Sequence, residues 1–317
     1  MPSQEPLFSF VLPAYKAQFL QEAVASILNQ TYQNLELVIV DDASPEDLKS
    51  IVNMFSDNRI RYYRNEQNIG GTDLVKQWNH CLSFATGEYV ILAADDDVYD
   101  KEFLSEAVQL FKKYPEVPLL RGRSQIIDES GKVLNIDIQT SVYLSFFDFL
   151  LFEKKVIGCI GNYIFTRKNL SCGFINFPLG WWSDRFTVID QAEGGILVTT
   201  KVVYSFRIST IHISSTVDKV TIYKKISATN MAFKWLNQRL NSLQFNEEKK
   251  AEIAYKQFFQ ANHMYFVHIA RQLLKLKLFD FILCLNKVYL NKMISKKEYF
   301  KLLFYYPLKK LIFLSND

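Results

Sequence analysis

Apolar residues along the first two hundred positions fall into two alternating rhythms. "FSFVLP" (8–13) is a short, nearly continuous apolar run, the signature of a strand buried on both faces. Phe19, Leu20, Ala23, Val24, Ile27 and Leu28 then recur at helical spacing, and "LELVIV" (35–40) is a second buried strand. A helix follows, with Ser44 as N-cap, Pro45 at its first position and Asp47 in its first turn, ahead of Leu48, Ile51, Val52 and Phe55. "RIRYYR" (59–64) predicts a third strand, Leu74, Val75, Trp78, Leu82 and Ala85 another helix stopped by Thr86-Gly87, and "EYVILA" (88–93) a fourth strand. Repeated strand-helix units predict an α/β fold with a doubly wound, mostly parallel sheet flanked by helices.

Beyond residue 225 the rhythm changes to helical spacing alone, as in Phe258, Phe259, Asn262, Tyr265, Phe266 and Ile269. Charge changes at the same place. Residues 1–224 hold 21 Lys+Arg against 27 Asp+Glu, whereas 225–317 hold 16 against 6. We therefore expect a domain over 1–224 and a basic, aromatic helical appendage over 225–317. Seventeen aromatics among 16 basic residues suit peripheral contact with a membrane surface, with packing on the preceding domain as the plainer alternative. The acidic first domain disfavours nucleic acid as a partner.

Composition narrows the class further. With 49% hydrophobic residues and only 11 Gly and 8 Pro, the chain can bury a large core. The opening "MPSQEPLFSF" has neither a basic nor a long apolar leader segment, and no run reaches the roughly 18 apolar residues of a spanning helix. Four isolated cysteines suggest neither zinc nor a disulfide framework, so the expectation is a cytoplasmic protein, at most peripheral at the inner face of the membrane.

In doubly wound sheets, ligands sit at the carboxyl ends of strands. Three strand ends here are polar: Pro13-Ala14-Tyr15, Asp41-Asp42 and Asp95-Asp96-Asp97. Three consecutive acids repel one another and need an offsetting cation or ample water. A calcium loop starting at Asp95 would place Glu106 at position 12, but Asp100 stands where the turn glycine is needed. No glycine-rich phosphate cradle follows the first strand, so a bound diphosphate would need a divalent cation held by carboxylates.

The stretches "FSFVLPAYKAQFLQEAVASILNQTYQNLELVIVDDASPED", "NIGG" and "FATGEYVILAADDDVYDKEFL" together resemble the nucleotide-binding half of family 2 glycosyltransferases, inverting enzymes of the GT-A fold. The likeness is close over about 7–113 and looser to about 215. It implies a nucleotide-sugar-binding half over about 1–115 and an acceptor and catalytic half over about 116–224. Pro13, Ala14, Tyr15 and Asp42 would meet the base and ribose of the donor, with Asn68, Gly70 and Asn79 lining the same site. The family's D-x-D element maps onto the triplet, with Asp96 and Asp97 as ligands of Mn²⁺ or Mg²⁺. Its first acid falls on Ala94, so either Asp95 takes over the ribose contact or the metal is held more weakly than is usual in the family.

In "GFINFPLGWWSDRFTVID", Ser183-Asp184 resembles the family's acid pair below the acceptor, with Ser183 in place of the first acid. The resemblance makes Asp184 the general base and Trp181 and Trp182 candidate sugar-stacking residues. The implied reaction moves a sugar, expected from a UDP-sugar, to a saccharide or lipid-linked saccharide in surface polysaccharide synthesis. His212 is read as an exposed strand residue, with a third metal ligand as the alternative. Two other readings stand beside this one: a sugar nucleotidyltransferase, whose glycine-rich basic signature "LPAYKA" lacks, and an idle module that binds nucleotide or sugar.

Overall fold

A computed structural model describes residues 5–152, 157–208, 218–242 and 265–308. His212, Phe258, Phe259 and Asn262 lie outside the described residues. Among those described, residues within Met1–Asn176 and Ser183–Thr210 form one compact unit, and residues within Phe177–Trp182 and Ile211–Asp317 a second. The boundary expected near 225 falls inside a helix of the second unit, α7 (Lys219–Ser242).

The first unit is built on β1 (Phe8–Ala14), β2 (Leu35–Asp41), β3 (Ile60–Arg64), β4 (Tyr89–Leu92), β5 (Val98–Tyr99), β6 (Leu119–Ile127), β7 (Val133–Ile136), β8 (Tyr143–Leu144), β9 (Tyr163–Thr166) and β10 (Ile196–Arg207). They form one sheet in the order β3-β2-β1-β4-β9-β6-β10-β5, with β7 beside β6 and β8 beside β10. β1 to β4, β6 and β10 run in one direction, while β5, β7, β8 and β9 run against them. The expected mostly parallel α/β sheet is therefore present.

Every residue of β2 and nearly all of β1 are buried, as strands covered on both faces must be. Of the helices α1 (Leu20–Leu28), α3 (Leu74–Leu82), α4 (Phe103–Lys113) and α5 (Phe146–Phe152), α1 and α4 direct Leu20, Val24, Ile27, Phe103, Leu104 and Ala107 into that core. Each large side chain so buried contributes about 1.5–3 kcal/mol. The short helix α2 (Leu48–Val52) differs from its expected start. Asp47 is its N-cap, accepting from the Ser50 amide at 3.1 Å, whereas the Ser44 hydroxyl donates to the Tyr15 carbonyl at 2.6 Å. The Ser44 oxygen also accepts from the Glu46 amide at 3.1 Å, so the serine turns the chain ahead of the helix and Asp47 caps it.

The second unit contains α7, helical residues 265–274, and the helices Leu278–Leu290 and Lys296–Tyr305. Ile222, Ile226, Ile269, Leu273, Phe281 and Leu285 form its core. Ser295 and Glu298 close a capping box at the last of these helices. No helix among the described residues is long and apolar enough to cross a membrane.

Candidate active site

The polar strand ends converge in the first unit. The Asp42 amide donates to the Ala14 carbonyl at 2.9 Å, which holds the ends of β1 and β2 together next to half-buried Pro13. Asp42 itself is buried. Its Oδ1 accepts from the Asn65 side-chain amide at 2.7 Å and the Ile69 amide at 2.8 Å, and its Oδ2 from the Gly70 amide at 2.7 Å. A Cβ on Gly70 would lie 2.8 Å from that same Oδ2, so only glycine lets the loop come so close. Asn68 closes the turn by accepting from the Gly71 amide. Asp42, Asn68 and Gly70 are thus brought together, with the carboxylate holding the loop.

The acid triplet is divided by its partners. Asp95, expected at the ribose, accepts through Oδ2 from the amides of both Tyr15 and Lys16 at 2.9 Å, so this oxygen grips the β1 turn. Burial raises the pKa of Asp95, and those two amides pull it back. Asp97 is 3% exposed. One of its oxygens accepts from the Tyr204 hydroxyl and the other from the Arg207 amide at 2.9 Å. Burial pushes its carboxyl up to about 7, with the charge of Asp96 adding to the rise. Both oxygens of Asp97, expected as a metal ligand, are thus engaged by donors of the protein itself. Asp96, half-buried, stands between these two anchored acids.

Arg207 braces the triplet through the backbone. Its Nε donates to the Asp96 carbonyl at 2.8 Å, its guanidinium pairs with Glu22 at 2.6 Å, and it lies 4.3 Å from the Phe19 ring centroid. Sequence reasoning missed both Arg207 and Tyr204. The one available signal was a basic residue closing an apolar strand, "VVYSFR".

Asp184 occupies the first turn of α6 (Ser183–Gln191), where the helix dipole favours an acid, and its Oδ1 accepts from the Arg185 amide at 2.7 Å. The approach to that helix is fixed by two bonds. Thr187 Oγ1 accepts from the Ile175 amide at 2.8 Å, and Asn79 Oδ1 from the Phe174 amide at 2.7 Å. Asn79, expected to line the donor site, is thereby committed to the loop that leads to α6. Trp181 and Trp182 belong to the second unit. Trp182 donates from Nε1 to Thr229 at 3.0 Å and packs edge-on to His268 at 4.7 Å, while the Lys225 ammonium lies 5.0 Å from the Trp181 ring centroid.

The model of the family described as "Glycosyl transferase family 2" matches residues 9–174, more than half of the chain and all of the strand ends just described. The chain belongs to glycosyl transferase family 2. Glycosyltransferase GlyG of Streptococcus pneumoniae serotype 4 (strain ATCC BAA-334 / TIGR4) is 36% identical over 127 residues, 39% of this chain and 41% of GlyG. Putative teichuronic acid biosynthesis glycosyltransferase TuaG of Bacillus subtilis (strain 168) is 28% identical over 163 residues, 50% of this chain and 62% of TuaG. UDP-Glc:alpha-D-GlcNAc-diphosphoundecaprenol beta-1,3-glucosyltransferase WfgD of Escherichia coli is 29% identical over 128 residues, 40% of this chain and 49% of WfgD. Each match thus spans less than two thirds of the relative.

Among solved structures, S. aureus TarS 1–349 in complex with UDP-GlcNAc superposes with a TM-score of 0.68 at 17% identity, covering 95% of this chain and 91% of that one. The GT-A fold expected from the sequence is thereby shown. A mannosyltransferase from Pyrobaculum calidifontis in complex with GDP-Man and Mn²⁺ superposes with a TM-score of 0.54 at 16% identity, covering 97% and 81%.

The donor set suits a hard divalent cation only in part. Among the described residues no group of three or more His, Cys, Asp or Glu forms a ready cage. A carboxylate at Asp96, beside an Asp97 whose ionisation is opposed by burial, fits a cation that takes its other oxygens from diphosphate and water.

Proposed function

We propose that this family 2 enzyme is an inverting hexosyltransferase that moves a sugar from a UDP-sugar to a saccharide or lipid-linked saccharide in bacterial surface polysaccharide synthesis. The observation that carries the proposal is the joining of the polar ends of β1, β2 and β4, through Tyr15 and Lys16 to Asp95 and through Ala14 to Asp42, within the family match. The printed names of TuaG and WfgD support the pathway class, and the TarS complex supports UDP as the nucleotide.

In this reading Tyr15 and the loop around Asn68 and Gly70 border the nucleotide, Asp42 sets that loop, and Asp95 and Asp97 hold the acid loop so that Asp96 faces the diphosphate. A divalent cation at Asp96 would neutralise the leaving diphosphate. The acceptor hydroxyl attacks the anomeric carbon from the face opposite the diphosphate, the bond to the diphosphate oxygen breaks, and Asp184 takes the hydroxyl proton. The first unit is the catalytic one. An acceptor carried on lipid brings the enzyme to the inner face of the membrane, held peripherally through the basic helical region.

The test is a screen of nucleotide-sugars with saccharide and lipid-linked acceptors, reading nucleoside diphosphate release with Mn²⁺ and with chelator. Metal-dependent release from a UDP-sugar, with an inverted anomeric product, is expected. Nucleotide binding without turnover on any acceptor class would leave the idle-module reading in its place.

A further inference from the structure

The helix Leu278–Leu290 is apolar on both sides. Phe281, Cys284, Leu285 and Val288 point into the core of the second unit. The opposite stripe consists of Phe279, Ile282, Leu283, Asn286 and Leu290, and Phe279 and Leu290 are 72% and 76% exposed. A helix with only one covered side has no reason in water to be apolar on the other. The helix Lys296–Tyr305 repeats the arrangement. Leu302 is buried, and Phe300 and Phe304, one turn apart, stand on the far side with Phe304 71% exposed. The two stripes adjoin. The Tyr299 hydroxyl donates to Asn286 at 2.6 Å, and the Tyr299 ring lies 5.0 Å from Tyr289 and 5.5 Å from Phe300.

Lysines frame this surface. Lys277 and Lys292 flank the first helix, and Lys296, Lys297 and Lys301 lie on the second, all exposed. Residues 265–308 hold 8 Lys+Arg against 2 Asp+Glu. Self-association through the stripe would stack that excess of positive charge on itself, whereas an anionic surface complements it. Thirteen helical residues measure about 20 Å, short of the roughly 30 Å of a hydrocarbon core, so the helix can lie in an interface but not cross it.

We propose that the Phe279–Leu290 stripe and the Phe300–Phe304 pair form a docking face that inserts into the headgroup boundary of an anionic bilayer, with lysine ammonium groups on lipid phosphates. The proposal rests on the lipid-linked acceptor reading above, and specifies the surface that meets the lipid. The test uses the full chain, sedimented with phosphatidylglycerol vesicles and with phosphatidylcholine vesicles at low and high salt, with UDP binding measured in parallel. Binding to phosphatidylglycerol that falls with salt is expected. Phe279→Glu with Phe304→Glu should weaken it by about tenfold or more at unchanged UDP affinity. Lys296→Gln and Lys297→Gln should each cost roughly fivefold.

No vesicle binding by the wild-type chain, or equal binding by the phenylalanine variant, would overturn the assignment. A lipid-free dimer abolished by Phe279→Glu would instead give the face to a second copy. Vesicle binding lost on Phe279→Glu in a chain that binds no nucleotide would uphold the face while removing the glycosyl-transfer reading.

Discussion

The two units dispose of their apolar surface in opposite ways. In the first, β1 and β2 are buried on both faces, and polar groups gather where the strands end. In the second, the helix Leu278–Leu290 buries one apolar side and leaves the other bare among lysines. A covered sheet leaves its strand ends for the chemistry of a small polar ligand. A half-covered helix invites a surface large enough to cover it. The contrast is what the proposals build on, with the reaction in the acidic unit and attachment through the basic one.

The sharpest break in that division is Asp184→Asn, which keeps the side-chain shape and removes the proton acceptor. Sugar transfer should fall by roughly 10²- to 10⁴-fold, while UDP affinity stays close to wild type because the base meets the acceptor and not the nucleotide. Steady-state transfer and calorimetric UDP binding read the two effects. Near-normal transfer would move the base to Asp190 or Glu193.

A smaller effect separates the units by stability. Leu12→Ala, at a fully buried position of β1, should cost about 2–5 kcal/mol in denaturant unfolding. Phe279→Ser, on the bare stripe, should stay within about 0.5 kcal/mol of wild type. A large loss from Phe279→Ser would show that the stripe is covered by the protein itself.

β1, β2 and β4 were legible because burial on both sheet faces writes continuous apolar runs into the sequence, and β1 and β2 extend one residue past the runs that predicted them. The three polar strand ends were legible because polar residues stand out directly after a buried apolar run. Their individual roles were not. Asp97 meets Tyr204 and Arg207 at separations of 107 and 110 residues, and Asn79 meets Phe174 across 95, distances at which no local pattern survives. Ser44 carried a cap signal and does accept from the Glu46 amide, but the helix starts one cap later, at Asp47, while the Ser44 hydroxyl donates to the Tyr15 carbonyl. The lysine-aromatic character of 225–317 was visible as composition, but only the packed helices show which apolar residues are buried and which remain bare.

The central claim is that the acid loop presents Asp96 to a metal-bound nucleoside diphosphate while Asp95 and Asp97 hold that loop to the framework. Calorimetric binding of UDP with Mn²⁺ tests it most directly. Wild-type protein should bind UDP with Mn²⁺ and lose about tenfold or more of its affinity on chelation or in Asp96→Ala, with the unfolding midpoint of that variant unchanged. UDP affinity indifferent both to chelation and to Asp96→Ala would contradict the account.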